Sequence, residues 1–135
     1  MLSLAMVLLW PPASILIVDD HPVSAIGIES IFRAYFPENI EVRKAYAGRN
    51  ALDLVLQQPP DLAVVDLDLP DISGLKVIKG IRAHSFSTRI MVITGTSDPQ
   101  LISQVYQLSV DAILRKTHTD HNMQEALRSI ADRSE

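Results

Sequence analysis

The sequence predicts an α/β fold in which five parallel strands form one sheet with five helices on its two faces. Apolar runs of strand length recur five times along the 135 residues, at 15–18, 40–47, 62–65, 90–93 and 112–114. Three of these runs, at 15–18, 62–65 and 90–93, each have four consecutive apolar residues, which is typical of central parallel strands covered on both faces. An amphipathic stretch follows each run, and right-handed crossovers would wind such a chain into a doubly wound sheet.

Turn and cap residues place the starts of the five predicted helices. Pro22 suits the first turn of the first helix, and Asn50 can cap the second, which a proline pair at 59–60 ends. Gly74 opens the third helix, Asp98 before a proline caps the fourth, and Thr119 can cap the fifth. The apolar residues expected to face the core are Val23, Ile26, Ile28, Ile31, Phe32, Leu52, Val55, Leu56, Leu75, Ile78, Ile81, Ile102, Val105, Tyr106, Met123, Leu127 and Ile130.

Composition excludes several classes of function. The chain has no cysteine, which rules out a disulfide framework, a cysteine zinc site and a thiol nucleophile. Twelve basic against sixteen acidic residues give a net charge of -4, with no long basic run, so we expect no direct nucleic-acid binding by this chain. With 47% apolar and 21% charged residues, a single globular domain in the cytoplasm is expected.

The first fourteen residues form an apolar N-terminal extension. The run at 1–10 is half of the roughly 20 residues that would span a bilayer. No Lys or Arg occurs before Arg33, whereas a signal peptide would have a basic start. We expect residues 1–14 to be poorly ordered and not to associate with a membrane, and residues 15–135 to form the domain.

Polar residues follow the apolar runs where a parallel sheet binds its ligands, beyond the carboxyl ends of the strands. Asp19 and Asp20 end the first run, and Asp66 ends the third. Thr94 ends the fourth, and Lys116 lies just after the fifth. We therefore expect three carboxylates, a hydroxyl and an ammonium to meet at one edge of the sheet.

The charges of this cluster limit what it can bind. Two carboxylates about 4 Å apart repel by roughly 4 kcal/mol at an effective dielectric constant of 20. Three of them would take up protons or move apart unless a cation joins them. An all-oxygen set of ligands favours a hard ion such as Mg²⁺, and Lys116 and Thr94 can then donate to an oxyanion. These residues predict a site for Mg²⁺ and a phosphoryl group.

Residues 15–135 resemble the receiver domain of two-component response regulators, whose fold is flavodoxin-like. The ILIVDDHP opening is most similar to regulators with a LuxR-type helix-turn-helix output. The residues that carry the resemblance are Asp19 and Asp20 in ILIVDDHP, Asp66 in LAVVDLDLPDISGL with Pro70 and Gly74 after it, Thr94 in MVITGTSD, and Lys116.

The resemblance implies a role for each of these residues. Asp66 would be the phosphoacceptor. Mg²⁺ would be bound directly by Asp20 and Asp66, through water by Asp19, and by the backbone carbonyl of Asp68. The resemblance implies that Thr94, Gly95 and Lys116 bind the phosphoryl oxygens and take part in the conformational switch.

The family also implies partners and an output. The phosphoryl donor would be a sensor histidine kinase or a phosphotransfer protein, and a homodimer could form through the region of the fourth and fifth helices. The domain would be a signalling module for transcription regulation that catalyses its own phosphorylation and dephosphorylation. Nothing after Glu135 could form a helix-turn-helix, so we expect a stand-alone receiver or the regulatory part of a longer regulator.

Three departures from the family pattern bear on switching. Ile113 stands where the family has a switch aromatic, and Thr117 stands where a proline commonly follows the lysine, so a trans bond is expected there. Asp68, two residues after the acceptor, could alter the rate of dephosphorylation. His21 is expected to be a loop residue flanking the metal rather than a ligand.

Two other functions fit parts of the pattern. The replacement by Ile113 is compatible with a receiver-fold binding module that signals without phosphorylation, although the intact acids and Lys116 argue against it. Asp66 and Asp68 also form a D-x-D motif like that of haloacid dehalogenase-like phosphatases. Those enzymes carry their second acid pair last in the chain, whereas here the pair comes first.

Overall fold

The computed structural model describes residues 12–36, 39–116, 123 and 125–128. Residues 123 and 125–128 are helical and belong to the region of the predicted fifth helix. The predicted alternation of strands and helices is confirmed. Its elements are β1 (Ser14–Val18), α1 (Pro22–Tyr35), β2 (Glu41–Ala45), α2 (Gly48–Gln57), β3 (Leu62–Asp66), α3 (Gly74–His84), β4 (Arg89–Thr94), α4 (Pro99–Tyr106) and β5 (Ala112–Arg115).

The five strands form one parallel sheet in the order β2-β1-β3-β4-β5. The strand order reverses between β1 and β3, because the chain leaves β1 towards one edge and returns from β2 to the other side. All five residues of β1 and of β3 are buried, as their continuously apolar sequences predict. The edge strand β2 is only partly buried and is shorter than the predicted run at 40–47.

Alternate residues of the central strands contact two separate layers of the core. Ile17 packs with Phe32 of α1 and Leu127 of the fifth helical segment. Its neighbour Leu16 faces the other way and belongs to the cluster that includes Ile78 of α3. Helices therefore cover both faces, which confirms the doubly wound arrangement.

The buried face of α1 differs from the predicted apolar stripe. Val23 is 84% exposed and Ile26 is 54% exposed, while the helix is buried through Ala25, Ile28 and Phe32. Val23 and Ile26 are three residues apart and share a neighbouring face of the helix. Leu56 and Tyr106 were also expected in the core and are likewise exposed; Ile130 lies outside the described residues.

Most of the predicted helix starts are confirmed, and one is wrong. Pro22 and Gly74 are the first residues of their helices, and the side chain of Asp98 accepts a hydrogen bond from the N–H of Gln100 at 3.0 Å. Asn50 does not cap α2, which begins two residues earlier at Gly48. The predicted cap Thr119 lies outside the described residues.

A distant carboxylate caps the start of α2. The residue before the helix, Ala47, offers no side-chain acceptor. Instead Asp71, in the loop after β3, accepts hydrogen bonds from the N–H groups of Gly48 at 2.8 Å and Arg49 at 2.9 Å. These backbone hydrogen bonds, that from Arg49 foremost, lower the pKa of Asp71 from 3.8 to about 2.

No helix in the described ranges has the length and hydropathy needed to span a bilayer. Residues 1–11 of the apolar N-terminal extension are outside these ranges. Its last residue, Ser14, is the buried first residue of β1 and pairs with Glu41.

We predict that Asp71→Asn lowers the free energy of unfolding near neutral pH and removes part of its dependence on acid. A carboxylate with a depressed pKa stabilises the fold above its unfolded-state pKa, and that stabilisation is lost as the pH falls towards about 2. Urea unfolding at several pH values should show the wild-type and Asp71→Asn curves converging between pH 4 and pH 2. Asp53→Asn, an exposed carboxylate of α2 with the same charge change, is the control; parallel curves for wild type and Asp71→Asn would contradict the capping role.

Candidate functional site

The carboxyl edge of the sheet collects the polar residues that the sequence singled out. Asp19 and Asp20 follow β1, Asp66 is the last residue of β3, and Thr94 is the last residue of β4. Lys116 follows β5 directly. The structure brings the acids of the two central strands together at the reversal in strand order, the place where open α/β sheets bind ligands.

Four side chains at this edge could share one metal ion. Asp19, Asp20, His21 and Asp66 each offer a ligand atom, and these atoms all lie within 4.8 Å of one another. The three acids were predicted from the sequence. His21 was expected only to flank the site, although its place directly after the acid pair was the signal that could have included it.

Local hydrogen bonds fix the orientation of the two buried acids. Asp19, which is 2% exposed, accepts the backbone N–H of His21 at 2.9 Å and the hydroxyl of Ser24 at 2.5 Å. One oxygen of Asp66, Oδ1, accepts the backbone N–H of Asp68 at 2.8 Å. The other oxygen, Oδ2, is thereby turned towards the cluster and towards Lys116.

Two buried oxygens of the cluster have no hydrogen-bond donor among the described residues. They are Oδ1 of Asp20 and Oδ2 of Asp66. Each has an ion-pair contact at 3.0 Å, with Nδ1 of His21 and Nζ of Lys116 respectively, but neither contact has the angles of a hydrogen bond. Buried carboxylate oxygens are otherwise almost always paired, so these residues fit a divalent cation placed between them.

Lys116 is the positive group that faces the acids. Its ammonium lies 3.0 Å from Oδ2 of Asp66 and 3.5 Å from a carboxylate oxygen of Asp68. Partial burial lowers the pKa of Lys116, but contact with Asp66 and the charges of Asp68 and Asp19 outweigh burial and raise the pKa overall. The ammonium is therefore charged at neutral pH and can hold an anion.

Burial dominates the electrostatics of Asp66. Removal from water raises the pKa of its carboxyl above the ordinary value, and the negative charge of Asp19 adds to this. The N–H of Asp68 and the ammonium of Lys116 oppose the shift without cancelling it. A bound cation would favour the ionised form, which is the form that can act as a nucleophile.

Thr94 and Gly95 lie beside the acids at the end of β4. The hydroxyl oxygen of Thr94 is buried and accepts the backbone N–H of Thr96 at 3.0 Å, which leaves its proton free to donate. A Cβ atom built on Gly95 would be 3.9 Å from the side chain of Lys116 and 4.0 Å from that of Asp68. Because glycine has no side chain, the space between these two charged side chains stays open.

Gly74 holds the loop after Asp66 against the start of α3. A Cβ atom at this position would come within 2.5 Å of both the Asp66 carbonyl oxygen and the Leu67 Cα. The N–H of Gly74 also donates to the carbonyl of Leu67 at 3.2 Å. Only glycine permits this approach, which fixes the backbone directly after the candidate nucleophile.

Ile113 occupies the middle of β5 and is half-buried against the core layer beneath α3 and α4. It also lines a surface groove of about 510 Å³ with Tyr106 of α4, Arg115, and the described helical residues Glu125 and Ala126. Residue 117, where a trans bond was predicted, lies outside the described residues.

Comparison with known proteins places this chain beside a large group of relatives. The family model of the response regulator receiver domain matches residues 15–128. The nitrate/nitrite response regulator protein NarL of Escherichia coli strain K12 is 28% identical over 120 residues, which are 89% of this chain and 55% of that relative. The chain thus spans about half the length of the curated relatives that it matches.

Two solved structures show the same architecture. A CheY-like receiver domain protein from Methanospirillum hungatei JF-1 superposes with a TM-score of 0.80 at 21% identity, covering 90% of this chain and 94% of that one. A response regulator protein from Burkholderia pseudomallei, with a phosphorylated aspartic acid, a calcium ion and citrate, superposes with a TM-score of 0.74 at 26% identity. The match covers 89% of this chain and 69% of that protein.

We predict opposite effects on stability for alanine at two glycines. Gly74→Ala should lower the free energy of unfolding by about 1–3 kcal/mol, because its methyl group meets backbone atoms that cannot rotate away. Gly27→Ala, in the middle of α1 with nothing within 4 Å of the added carbon, should raise it by about 0.5–1 kcal/mol. Urea unfolding of both variants measures this, and effects of the same sign would refute the crowding at Gly74.

Proposed function

The chain belongs to the family of response regulator receiver domains, signalling domains that accept a phosphoryl group, and from that premise we propose that Asp66 is its phosphoacceptor. The observation that carries this proposal is the environment of the Asp66 Oδ2 atom. This oxygen is buried, accepts no hydrogen bond, and points between the acidic cluster and the ammonium of Lys116.

The proposed reaction is an exchange of bonds at phosphorus. Oδ2 of Asp66 attacks the phosphorus of a phosphohistidine on a sensor histidine kinase or a phosphotransfer protein. The new O–P bond forms as the N–P bond breaks, and the imidazole leaves with the bonding electron pair and takes up a proton. The product on this chain is an acyl phosphate. Positioning and charge neutralisation supply most of the rate in such a transfer.

The acidic cluster is suited to hold Mg²⁺ for this reaction. We assign Asp20 and Asp66 as direct ligands, Asp19 as a ligand through water, and the backbone carbonyl of Asp68 as the remaining protein ligand. Bound Mg²⁺ would neutralise the acids and the charge of the phosphoryl group. Oδ1 of Asp20 and Oδ2 of Asp66 are buried and accept no hydrogen bond, which supports the first two assignments.

Lys116 and Thr94 are placed to hold the phosphoryl oxygens. The ammonium of Lys116 is 3.0 Å from the attacking oxygen, and the hydroxyl of Thr94 has a proton free to donate. Gly95 leaves the approach to Asp66 open to the donor. If the Thr94 hydroxyl moved to bind phosphate, its hydrogen bond with the N–H of Thr96 would change. Thr96 lies three residues before α4 begins at Pro99, so the start of this helix would be affected.

The output is proposed to lie on the surface of α4 and β5. The groove lined by Tyr106, Ile113 and Glu125 is on this surface, and a movement of the segment after Thr94 would change its shape. We propose that phosphorylation regulates a homodimer or a partner through this surface in the cytoplasm. Several relatives are named as transcriptional activators or regulators, which supports a transcriptional output.

We predict that acetyl phosphate with Mg²⁺ adds one phosphoryl group to the wild-type chain and none to Asp66→Asn. The asparagine amide is not a nucleophile, whereas the Asp66 carboxylate oxygen attacks the phosphorus of acetyl phosphate and displaces acetate. Intact-mass spectrometry detects the added phosphoryl group, and loss of the label on treatment with hydroxylamine identifies an acyl phosphate.

The control for this experiment is Asp68→Asn, which makes the same charge change two residues away and keeps the nucleophile. It should still be labelled. Excess chelator should abolish labelling of the wild type. A hydroxylamine-labile label on Asp66→Asn, or equal labelling with and without chelator, would contradict the assignment of Asp66 or of the metal site.

A further inference from the structure

The imidazole of His21 faces the acidic cluster without forming a hydrogen bond to it. Its Nδ1 atom is 3.0 Å from the buried Oδ1 of Asp20 and 3.5 Å from Oδ1 of Asp19. Oδ1 of Asp20 nevertheless accepts no hydrogen bond. A ring nitrogen and a carboxylate oxygen at this separation could both bind one metal ion.

The backbone of His21 is held on both sides. Its N–H donates to Asp19 Oδ1 at 2.9 Å, and its carbonyl oxygen accepts the N–H of Ala25 at 3.0 Å in the first turn of α1. Pro22 follows as the first residue of that helix and restricts the backbone further. The backbone that carries the imidazole is therefore held beside the acids, although the side chain itself is 68% exposed.

The distances suit a metal with a nitrogen and an oxygen in neighbouring positions. Two ligands about 2.1 Å from one ion and at right angles to each other are about 3.0 Å apart. Nδ1 of His21 and Oδ1 of Asp20 are 3.0 Å apart. Asp66 supplies an independent indication of a ligand here. It is only 2% exposed, and its Oδ2 lies in the same 4.8 Å cluster, is in ion-pair contact with Lys116 at 3.0 Å, and accepts no hydrogen bond.

We propose that His21 is a direct ligand in this site and extends its specificity to imidazole-binding divalent ions such as Co²⁺ and Zn²⁺. Oxygen ligands alone suit Mg²⁺, whereas a neutral imidazole is a preferred ligand of later first-row metals. The proposal rests on the metal site of the proposed function and adds one ligand to it. Mg²⁺, which binds nitrogen poorly, gains little from His21.

The test uses the full chain without a histidine tag and Co²⁺ as the probe. Isothermal titration calorimetry measures the affinities of wild type, His21→Ala and His84→Ala for Co²⁺ and for Mg²⁺. His84 is an exposed residue at the end of α3, and its variant is the control. His21→Ala should weaken Co²⁺ binding by about tenfold or more. A factor of about ten is the lower end of the loss in metal affinity when a residue that only orients a ligand is removed. Its Mg²⁺ affinity should change by less than about threefold, and His84→Ala should match the wild type.

Proton NMR of the Co²⁺ complex gives a readout that does not depend on activity. A coordinated imidazole places an exchangeable N–H resonance far outside the diamagnetic range, and this resonance should be present in wild type and His84→Ala and absent from His21→Ala. Absence of the resonance from the wild type, its persistence in His21→Ala, or equal Co²⁺ affinities in these two proteins would overturn the proposal and leave His21 as an ion-pair partner of Asp20. Labelling of Asp66 with Mg²⁺ in His21→Ala tests the proposed function separately.

Discussion

Buried negative charge at the carboxyl edge of the sheet is the constraint on which the rest of this structure depends. Asp19 and Asp66 are both almost fully buried, and Asp20 shares their cluster. At an effective dielectric constant of 20, one pair of carboxylates about 4 Å apart costs roughly 4 kcal/mol. Hydrogen bonds from Ser24 and two backbone N–H groups, together with the ion pair between Lys116 and Asp66, offset part of this repulsion. Oδ1 of Asp20 and Oδ2 of Asp66 remain without a hydrogen bond, and the cluster to which they belong could hold a metal ion.

The same constraint connects the chemistry to the rest of the fold. A parallel sheet is what places acids from two central strands and Lys116 from beyond the edge strand at one end. The close contact of Gly74 with the backbone of Asp66 and Leu67 fixes the position of the proposed nucleophile. Thr94 is hydrogen-bonded to the segment that leads into α4. A change of charge on Asp66 that moves Thr94 can therefore alter the position of this segment at the surface.

Sequence reasoning succeeded where the signal is local or follows from strand order. Continuous apolar runs identified β1 and β3, and the polar residues after the runs identified Asp66 and its neighbours. It failed where the decision depends on packing. The apolar residues of α1 fit two adjacent faces, and only contact with the sheet selects the one without Val23 and Ile26. Asp71 caps the start of α2 from 22 or 23 residues further along the chain, and periodicity does not reveal such a contact. The approach of His21 to Asp20 depends on a side-chain rotamer, which periodicity does not reveal either.

The need for a cation can be measured as a free energy of unfolding. An ion that binds only the folded chain stabilises it, by about 2.7 kcal/mol at a hundred times its dissociation constant. Urea unfolding of the wild type should show this stabilisation with rising MgCl₂, and Asp20→Asn, which removes one charge of the cluster, should show much less. Equal stabilisation of both proteins, or the same stabilisation from NaCl at matched ionic strength, would contradict a specific cation site at this edge of the sheet.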